Sequence, residues 1–462
     1  MHETDVVVLG GGTGGSAAAK AAHDAGAAVT MFHVGELGGL CILKGCMPTK
    51  TMLHAAHLRH HARHHATPGI AQADPGFDFA AIMGNKDAKV ARFQRAKIQS
   101  IEAGGYRVVE ARARFTGPDE VDAGGVRYRF RRGAVIATGS TTRLPDLPGL
   151  DDIDFLTSDD VMAMTSRPAS MIVVGLGAIG LELAQFFARL DVEVDLVGRR
   201  AVFEDVDPDI SREAHAAIGD EPRLRLHVVR SMESVRAVDG GIALAVQTEA
   251  GPRTLRAEQI LFATGRRPAL DGLDLDRAGI ELDAAGRIRV GPDMRTTNPK
   301  IFVAGDASGH RLLLHVANWE GRVAGLGAAG VPGPHAVEER LDVEVVFYDP
   351  PMARVGLDER SARARGYDPV TASARFPETG RAITMDVQHG LWKLVADRRT
   401  GEVLGAQIFG PRADDLVHVI STAMYHRTTA AQLLEMPWYH PTLAEVALSL
   451  ARQIEQRRAT PR

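Results

Sequence analysis

This sequence has few cysteines, no long apolar run and no excess of basic charge, and each of these features excludes a class of protein. The 462 residues include two cysteines, Cys41 and Cys46, so a secreted fold held together by several disulfides is excluded. No apolar run approaches the roughly 18 residues that a membrane-spanning helix needs. Residues 1–5 carry no basic segment of the kind that opens a secretory signal. These features predict a cytoplasmic protein with no membrane partner.

The charge balance argues against a nucleic-acid partner. The chain has 54 Lys and Arg residues against 58 Asp and Glu residues, which gives a net charge of −4. There is no basic surplus to bind a phosphate backbone or an anionic membrane. The apolar share of 45% and the charged share of 24% are those of an ordinary globular protein, and the length suits two to four domains.

Glycine is abundant, and its grouping predicts a nucleotide site near the amino terminus. Residues 5–9 are apolar and predict a strand, residues 10–15 read GGGTGG, and an alanine-rich helix is expected over 16–25. Gly10, Gly12 and Gly15 carry no side chain, so that a phosphate can approach the free N–H groups of the helix. A glycine turn that only tightens the strand-to-helix junction is the alternative.

The same pattern recurs later in the chain. Residues 171–174 predict a buried strand, the motif Gly175, Gly177, Gly180 follows, and a helix is expected over 181–190. A second strand after each helix completes a βαβ unit. The repetition predicts an α/β fold with two Rossmann-type dinucleotide-binding domains.

The remaining segments predict how these units are connected. Apolar strands ending in Ala-Thr-Gly occur at residues 135–139 and 261–265. Residues 328–337 are rich in glycine and proline and predict a linker. Beyond the linker, residues 366–410 are strand-rich and helices are expected over 413–426 and 443–456, which indicates a C-terminal α+β domain.

The acid that usually ends the second strand of such a unit is missing from both copies. A carboxylate there binds the adenosine ribose hydroxyls, but the first unit has His33 and the second has Gly198 followed by Arg199 and Arg200. Two guanidinium groups can pair with a 2′-phosphate, so NADP(H) is expected at the second unit in preference to NAD(H). A solvated arginine pair is the alternative, and Glu204 would oppose phosphate binding if it reached the pocket.

The two cysteines lie close together in the run GGLCILKGCMPTK, residues 38–50. If Cys41 and Cys46 lie on the first turns of a helix, their sulfurs can meet, and the helix dipole lowers the thiol pKa. Two unrelated buried thiols are the alternative. The spacing favours a redox pair.

This run resembles the GGTCxxxGCxPSK motif of the FAD-dependent pyridine nucleotide-disulfide oxidoreductases, which include dihydrolipoamide dehydrogenase, glutathione reductase and mercuric reductase. Further motifs of that family occur in order: ATGRRP at 263–268, IFVAGD at 301–306 and WYHPTLAE at 438–445. The resemblance covers essentially the whole chain. It implies an FAD-binding domain in two parts, which we expect at residues 1–146 and 266–334. A nucleotide-binding domain is expected at residues 147–265 and a dimerisation domain at residues 335–462.

The resemblance also implies the roles of individual residues. Cys46 would face the flavin and Cys41 would exchange with an external disulfide, while His440 and Glu445 would act as an acid–base dyad supplied by the partner of a homodimer. Lys50 would lie beside the flavin with Glu182 as its ion-pair partner. The predicted cofactor-binding residues are Gly10, Gly12, Gly15, His33, Gly39, Thr138, Gly139, Gly305, Asp306, His315, Gly175, Gly177, Gly180, Arg199, Arg200 and Gly265.

The substrate is less strongly indicated than the family. Ala178 stands where the glutathione reductase branch has a gating tyrosine, His315 matches the dihydrolipoamide dehydrogenase branch, and no cysteine follows Cys46, whereas mercuric reductase has a C-terminal pair. An enzyme similar to dihydrolipoamide dehydrogenase, acting on a small dithiol or disulfide or on a lipoyl-carrying protein, is therefore the first prediction. An NADPH-dependent reductase of another disulfide or of a metal ion is the second, and a non-catalytic redox or metal sensor is a remote third.

A run of histidines follows the cysteine motif. His54, His57, His61 and His64 can share one helix face, with His60 and His65 beside them. A metal site is one interpretation. A partly exposed, histidine-rich helix is favoured, because no thiol or acid in the run completes a ligand shell.

Overall fold

A computed structural model describes residues 1–65, 67–333, 335–337 and 339–460. Pro334, in the predicted linker and at the expected end of the FAD-binding domain, lies outside these residues. The described helices are α1 (Thr13–Asp24), α2 (Leu40–Leu43), α3 (Cys46–His64), α4 (Phe79–Glu102), α5 (Ser158–Val161), α6 (Ala178–Arg189), α7 (Pro208–Gly219), α8 (Leu314–Ala328), α9 (Glu359–Ala364), α10 (Gly380–Ile383), α11 (Ala413–Tyr425), α12 (Ala430–Glu435) and α13 (Val446–Ala459).

The described strands are β1 (His2–Leu9), β2 (Val29–His33), β3 (Arg107–Glu110), β4 (Ala113–Gly117), β5 (Glu120–Ala123), β6 (Val126–Ile136), β7 (Ser140–Thr142), β8 (Leu156–Thr157), β9 (Ser170–Val174), β10 (Glu193–Gly198), β11 (Leu224–Val228), β12 (Ser231–Val238), β13 (Gly241–Thr248), β14 (Gly251–Ala257), β15 (Gln259–Phe262), β16 (Arg266–Pro268), β17 (Ile301–Val303), β18 (Val343–Val346), β19 (Met352–Gly356), β20 (Pro369–Arg375), β21 (Leu391–Asp397) and β22 (Val403–Phe409). None of the described helices has the length and apolar character needed to cross a membrane.

The chain divides into two compact units. The first contains Met1–Thr51, Met83–Arg143 and Gly265–Val337, and the second contains Met52–Ile82, Leu144–Thr264 and Glu338–Arg462. The finer domain boundaries expected from the sequence remain a prediction.

The first unit is built on a seven-stranded sheet in the order β3-β2-β1-β6-β5-β4, with β17 also paired to β6. Strand β1 runs parallel to β2 and β6, and its Val6, Val7 and Val8 are fully buried. A strand covered on both faces needs such a continuous apolar run rather than alternation. The βαβ unit predicted from the first glycine motif is confirmed, and α1 begins at Thr13 because Gly12 is its N-cap.

Glycines let α8 pack closely against α1 within the first unit. A Cβ on Gly321 would overlap the carbonyl oxygen of Gly14, and one on Gly325 would overlap that of Ala18. Only residues without a side chain permit this backbone approach. The close packing holds the amino end of α8 in a defined place within the unit.

The second unit contains three sheets. One is parallel in the order β11-β10-β9-β15-β8, with α6 connecting β9 to β10, so the second predicted βαβ unit is also confirmed. A small antiparallel sheet has the order β12-β13-β14. The C-terminal sheet is antiparallel in the order β18-β19-β22-β21-β20, which agrees with the strand-rich prediction for residues 366–410.

Helices α11 and α13 pack with the C-terminal sheet around one apolar cluster that includes Trp392, Ile420 and Ile454. Helix α11 agrees with the prediction for 413–426, whereas α13 begins three residues later than expected. The delay has a local cause: Glu445 occupies the N-cap, and its N–H donates to the hydroxyl oxygen of Thr442 at 3.2 Å.

Candidate active site

The first glycine turn is packed so tightly that side chains are excluded. Gly10 has φ of +121°, and a Cβ there would overlap the carbonyl oxygen of Ala137. A Cβ on Gly15 would overlap the carbonyl oxygen of Gly10. Gly12 caps α1 in an extended conformation with no side-chain hydrogen bond, which leaves the first N–H groups of the helix available. The turn therefore has the form that a dinucleotide diphosphate requires.

The loop before the cysteines lies directly against this turn. Gly39 has φ of +75°, and a Cβ there would stand 2.8 Å from the Cα of Gly12. Any larger residue would push the loop away from the glycine turn. The predicted role of Gly39 thus has a structural reason, since it brings the cysteine motif next to the amino end of α1.

Asp306 is held in a network that the sequence reasoning missed. Its Oδ2 accepts a hydrogen bond of 2.6 Å from the Ser140 hydroxyl, whose oxygen accepts one of 2.8 Å from Nε of Arg266. Ser140 and Arg266 are the residues that follow the two Ala-Thr-Gly strand ends. Their shared position directly after each Ala-Thr-Gly sequence is the signal that could have identified them.

Two further polar groups in this region fit a bound cofactor. The hydroxyl oxygen of Thr138 is buried and has no hydrogen-bond partner in the described part of the chain, so a ligand would satisfy it. Glu320, which sequence reasoning also missed, is buried and accepts a 2.7 Å hydrogen bond from the N–H of Gly305. Burial raises the pKa of Glu320 to about 7, and the neighbouring Asp306 adds to the increase.

His33 borders the first glycine turn, and His315 lies at the start of α8. A Cβ on Gly11 would stand 3.0 Å from the Cβ of His33, so this histidine borders the glycine turn, and its Nδ1 lies 2.9 Å from the carbonyl oxygen of Gly35. His315 is the second residue of α8 and is exposed. The cofactor contacts expected of His33 and His315 remain predictions.

The two cysteines lie in two separate helices rather than sharing one, which corrects the expectation from the sequence. Cys41 lies in the single turn of α2, and Cys46 is the first residue of α3. A Cβ on Gly45, between them, would stand 3.0 Å from the carbonyl oxygen of Leu40, so the backbone is tightly packed at this turn. The chain folds back between the helices, and both cysteines are free thiols in this structure.

The pKa of Cys41 also differs from the sequence prediction. A hydrogen bond with Cys46, followed by burial, raises the pKa of the Cys41 thiol, whereas the helix dipole was expected to lower it. Two neighbouring thiols share one proton after the first ionises, so the second proton is retained.

The expected partners of the cysteines fall in different units. Lys50 lies on α3 one turn after Cys46, in the first unit, while Glu182 lies on α6 in the second. Glu182 is buried, and its Oε1 accepts a 3.0 Å hydrogen bond from the N–H of Phe347. The ion pair between Lys50 and Glu182 remains a prediction.

The second glycine turn repeats the construction of the first. A Cβ on Gly175 would overlap the carbonyl oxygen of Ala263, and one on Gly180 would overlap that of Gly175. Gly177 is the N-cap of α6. The turn is again free of side chains at the amino end of a helix, as predicted.

Arg199 and Arg200, directly after β10, are both exposed. Arg200 is 81% exposed, and its Nε lies 3.4 Å from a carboxylate oxygen of Glu204. Glu204, which the sequence indicated would oppose phosphate binding, therefore does reach one of the two arginines. Arg199 has no ion pair within the described residues. It is therefore the freer of the two for a phosphate.

His440 and Glu445 form the dyad predicted from the C-terminal motif. Nδ1 of His440 lies 2.9 Å from Oε2 of Glu445, and the ring is 76% exposed. The backbone N–H of Thr442 donates to Oε1 of the same carboxylate at 3.3 Å. A carboxylate on Nδ1 orients the ring and leaves Nε2 free to exchange a proton with an external group.

The histidine run pairs with acids elsewhere in the chain instead of gathering around a metal. His60 lies 3.4 Å from Glu221, His61 lies 3.2 Å from Asp349, and both acids also pair with Arg189. Among the described residues no group of three or more His, Cys, Asp or Glu side chains is placed to hold a metal ion. His54, His57, His61 and His64 all lie on α3 at the spacing of one helix face, as predicted, and of these four only His57 is half-buried.

Comparison with known proteins identifies the family. The profile described as pyridine nucleotide-disulphide oxidoreductase matches residues 4–321, and that of its dimerisation domain matches residues 343–451. A dihydrolipoyl dehydrogenase of Halobacterium salinarum is 34% identical over 458 residues, covering 97% of this chain and 95% of the relative. A mercuric reductase of Streptomyces lividans is 33% identical over 461 residues, with the same coverage of 97% and 95%.

Solved structures agree with the fold. LpdA from Mycobacterium tuberculosis matches with a TM-score of 0.85 and 25% identity, covering 98% of this chain and 100% of that one. The Cu(II) complex of the HOCl-induced flavoprotein disulfide reductase RclA from Escherichia coli has a TM-score of 0.85, with the same coverage and 23% identity. The two glycine turns, the cysteine motif and these matches over the full length agree, and the chain belongs to the pyridine nucleotide-disulphide oxidoreductases, a family of FAD-dependent flavoproteins that use a pyridine nucleotide.

Proposed function

We propose that this protein is a disulfide oxidoreductase that passes electrons between a nicotinamide nucleotide, FAD, the Cys41–Cys46 pair and an external dithiol or disulfide, with dihydrolipoyl dehydrogenase as the nearest type. The observation that carries the proposal is the cysteine pair itself. The two thiols lie in the first turns of two successive helices, share a hydrogen bond, and follow a loop packed on the glycine turn. This is the arrangement of a redox pair beside a dinucleotide.

The residues around the first glycine turn fit FAD. Gly10, Gly12 and Gly15 would admit the diphosphate, the unpartnered hydroxyl of Thr138 would find a ligand partner, and Asp306 would bind a hydroxyl of the ribityl chain. When bound, FAD supplies the two-electron carrier between the nicotinamide nucleotide and the disulfide. The network of Ser140 and Arg266 keeps Asp306 oriented for that contact.

Cys41 and Cys46 react with the substrate by thiol–disulfide exchange. In the direction of dithiol oxidation, a substrate thiolate attacks Sγ of Cys41, the Cys41–Cys46 bond breaks, and Sγ of Cys46 leaves as a thiolate. The second substrate thiolate then attacks the sulfur joined to Cys41 and releases the Cys41 thiolate. The substrate becomes a disulfide and the cysteine pair becomes a dithiol, so two electrons have moved.

His440 is assigned the proton transfers of this exchange. Its Nε2 takes the proton of the incoming substrate thiol and returns one to the departing thiolate, while Glu445 stabilises the imidazolium through Nδ1. We place the dyad at the cysteine pair of the partner subunit in a homodimer. The match of residues 343–451 to a dimerisation domain supports this assembly.

NADPH is the nucleotide we expect to be preferred, with NADH a weaker alternative. Gly198 provides no carboxylate to repel a 2′-phosphate, and Arg199 provides an exposed guanidinium without an ion pair in the described residues. A cytoplasmic location is also part of the proposal, because a reducing compartment suits a protein whose only cysteines form a redox pair.

Reduction of a metal ion at the same cysteines is the second candidate. It is favoured by the similarity to mercuric reductase of Streptomyces lividans, which extends over 95% of that relative. The absence of any cysteine after Cys46 removes the second thiol pair that the resemblance would lead us to expect. Dihydrolipoyl dehydrogenase activity therefore stays first.

Initial rates with dihydrolipoamide, glutathione disulfide and Hg(II), each with both nicotinamide nucleotides, test the proposal. We expect turnover of the lipoyl substrate and its loss in Cys41→Ser, which leaves the flavin site unaltered. Turnover of Hg(II) alone would favour the second candidate. If Cys41→Ser retained full activity on every substrate, the redox pair would not be the reactive site.

A further inference from the structure

Helix α4 brings a lysine to the amino end of α1. Lys97 is half-buried, and its Nζ donates a 2.6 Å hydrogen bond to the hydroxyl oxygen of Ser16. Ser16 is buried in the first turns of α1, and its hydroxyl donates in turn to the carbonyl oxygen of Thr13 at 3.1 Å. Thr13 is the first residue of α1. The ammonium is therefore linked through one hydroxyl to the residue at which the glycine turn ends.

The charge of Lys97 is not balanced by the protein. The first turn of α1 contains no acidic residue, and Lys97 has no ion pair in the part of the chain that the structure describes. Desolvation is the one cause that lowers its pKa. Lys20, at the other end of the same helix, does have a carboxylate partner, Asp24, at 2.5 Å.

This placement is unfavourable for the protein alone. The amino end of a helix carries a partial positive charge, so a neighbouring cation is repelled, and partial burial removes the water that would screen it. An anion at the same helix end reverses both effects. The position of the Lys97 ammonium group is therefore electrostatically favourable when an anion is bound at this helix end and unfavourable when none is bound.

A second contact keeps α4 in place on the other side of the glycine turn. Gln94, one turn before Lys97, donates a 3.1 Å hydrogen bond to the carbonyl oxygen of Leu37. Leu37 belongs to the loop that leads to Gly39, which packs on Gly12. Helix α4 thus contacts both α1 and the loop that packs on the glycine turn. The aliphatic chain of a lysine is long enough to cover the roughly one helical turn between Ser16 and the amino end of α1.

We propose that Lys97 is a binding residue for the diphosphate of FAD, supplying the positive side-chain charge that the glycine turn itself lacks. The anion is identified by chemistry: a dinucleotide places its diphosphate at the amino end of the first helix of such a unit. The inference rests on FAD as the cofactor of the proposed function. It adds a residue outside the glycine motif, the cysteine motif and the C-terminal motif.

The proposal makes opposite predictions for the two states of the protein. Lys97→Met removes a charge that only the cofactor stabilises, so FAD should bind about ten- to hundredfold more weakly, the range for one charged hydrogen bond. The melting temperature of the full-length apoenzyme should stay equal or rise, because an uncompensated cation has been removed. A residue that merely supports the fold would lower both quantities.

The experiment titrates full-length apoenzyme with FAD, follows flavin fluorescence, and records melting curves without FAD. Lys97→Arg keeps the charge and should keep the affinity within a few-fold. Lys97→Gln repeats the test with a polar side chain, and Lys89→Met, an exposed lysine on the same helix, is the matched control. Salt should weaken FAD binding more in the wild type than in Lys97→Met.

Unchanged FAD affinity in both Lys97→Met and Lys97→Gln would overturn the proposal. So would a parallel loss of apoenzyme stability and FAD affinity in all three Lys97 variants, which would show a structural role. A wild-type apoenzyme that takes up no FAD would instead contradict the proposed function, and the inference would fall with it.

Discussion

Gly198 illustrates at the scale of one residue how packing and specificity are joined. A Cβ at this position would overlap the side chain of Leu176, which lies within the second glycine turn. An acid therefore cannot be added here unless the Leu176 side chain moves. The missing carboxylate is thus consistent with the packing at this position, and our proposal assigns the discrimination between nucleotides to the arginines that come next.

Arg199 should carry most of that discrimination. We predict that Arg199→Ala raises the KM for NADPH by about ten- to hundredfold, the range for one lost contact between an arginine and a phosphate, and changes the KM for NADH little. Arg200→Ala should have a smaller effect, because Arg200 is shared with Glu204. Steady-state kinetics with both nucleotides measures the split.

The internal comparison of the two arginines serves as the control for this prediction. Equal increases in the KM for NADPH and NADH would show that Arg199 acts on a part common to both nucleotides. A wild-type enzyme that already prefers NADH would remove the basis for NADP selection at this site.

His440 should affect one half of the catalytic cycle. We predict that His440→Ala slows the exchange with the disulfide or dithiol by about 10² to 10⁴, the usual contribution of a positioned acid or base. Reduction of the flavin by the nicotinamide nucleotide should be spared, since it needs no proton from this ring. Stopped-flow measurement of the two half-reactions separates the effects.

Two variants sharpen this test. His418→Ala changes an exposed histidine on α11 and should leave both half-reactions intact. Glu445→Gln keeps the hydrogen bond to the ring but removes the negative charge that stabilises the imidazolium, so the exchange should slow while flavin reduction is spared. Equal loss in both half-reactions of His440→Ala would mean that the histidine is structural.

At the scale of an element, α3 does two jobs along its length. Its first turns hold Cys46 and Lys50, while its later turns place histidines against a buried ion-pair network. Burial and the nearby Arg189 lower the pKa of His57 to about 4 and that of His60 to about 3. The groups that face this pair are Arg189, Glu221, Asp349, His61 and His64. Both rings are thus held neutral in the folded protein.

Acid should therefore destabilise the fold through these rings. The pKa of a histidine in the unfolded chain is near 6.5. Below that pH the unfolded chain binds protons at these rings and the folded protein does not. The free energy of unfolding therefore falls as the pH decreases toward the folded-state pKa values of His57 and His60, about 4 and about 3. At pH 5 the loss from His60, whose side chain is 18% exposed, is up to about 2 kcal/mol. We predict that His60→Gln narrows the difference between the melting temperatures of the holoenzyme at pH 7 and pH 5.

An exposed histidine on the same helix is the matched control. His54→Gln should leave the pH dependence of the melting temperature as it is in the wild type. If His60→Gln behaved in the same way as His54→Gln, His60 would not be the group that resists protonation. Other titrating groups contribute equally to the compared proteins and cancel.

At the scale of the whole molecule, the proposed homodimer predicts complementation between two inactive variants. In a mixed dimer, a Cys46→Ser subunit supplies an intact His440 and a His440→Ala subunit supplies intact cysteines. If the dyad acts on the cysteines of the partner subunit, one of the two sites works. Equal co-expression should then restore about a quarter of wild-type activity, because half of the dimers are mixed.

Differently tagged subunits allow the mixed dimer to be purified and assayed by itself. Each variant dimer alone is the control and should show almost no disulfide exchange. A mixed dimer as inactive as its parents would show that each site takes both parts from one chain, which would reject the shared site but not the redox chemistry.

The sequence by itself determined the parts of this protein that depend on short local motifs. Two glycine turns with their flanking strands and helices, the cysteine pair five positions apart, and the residues of the His440–Glu445 dyad could all be predicted. Their geometry depends on neighbours a few residues away, and local patterns specify local geometry. Even here the sequence failed where Gly45 breaks the expected single helix into two.

Only the tertiary structure decided the contacts between distant segments. Ser140 and Arg266 orient Asp306, Leu176 fills the space beside Gly198, burial and Arg189 keep His60 neutral, and Lys97 reaches the amino end of α1. No periodicity in one segment encodes which side chain of another segment will face it, because that depends on how sheets and helices pack. The pKa values of Cys41, Glu320 and His60 belong to the same class, since burial and neighbouring charges exist only in the folded chain.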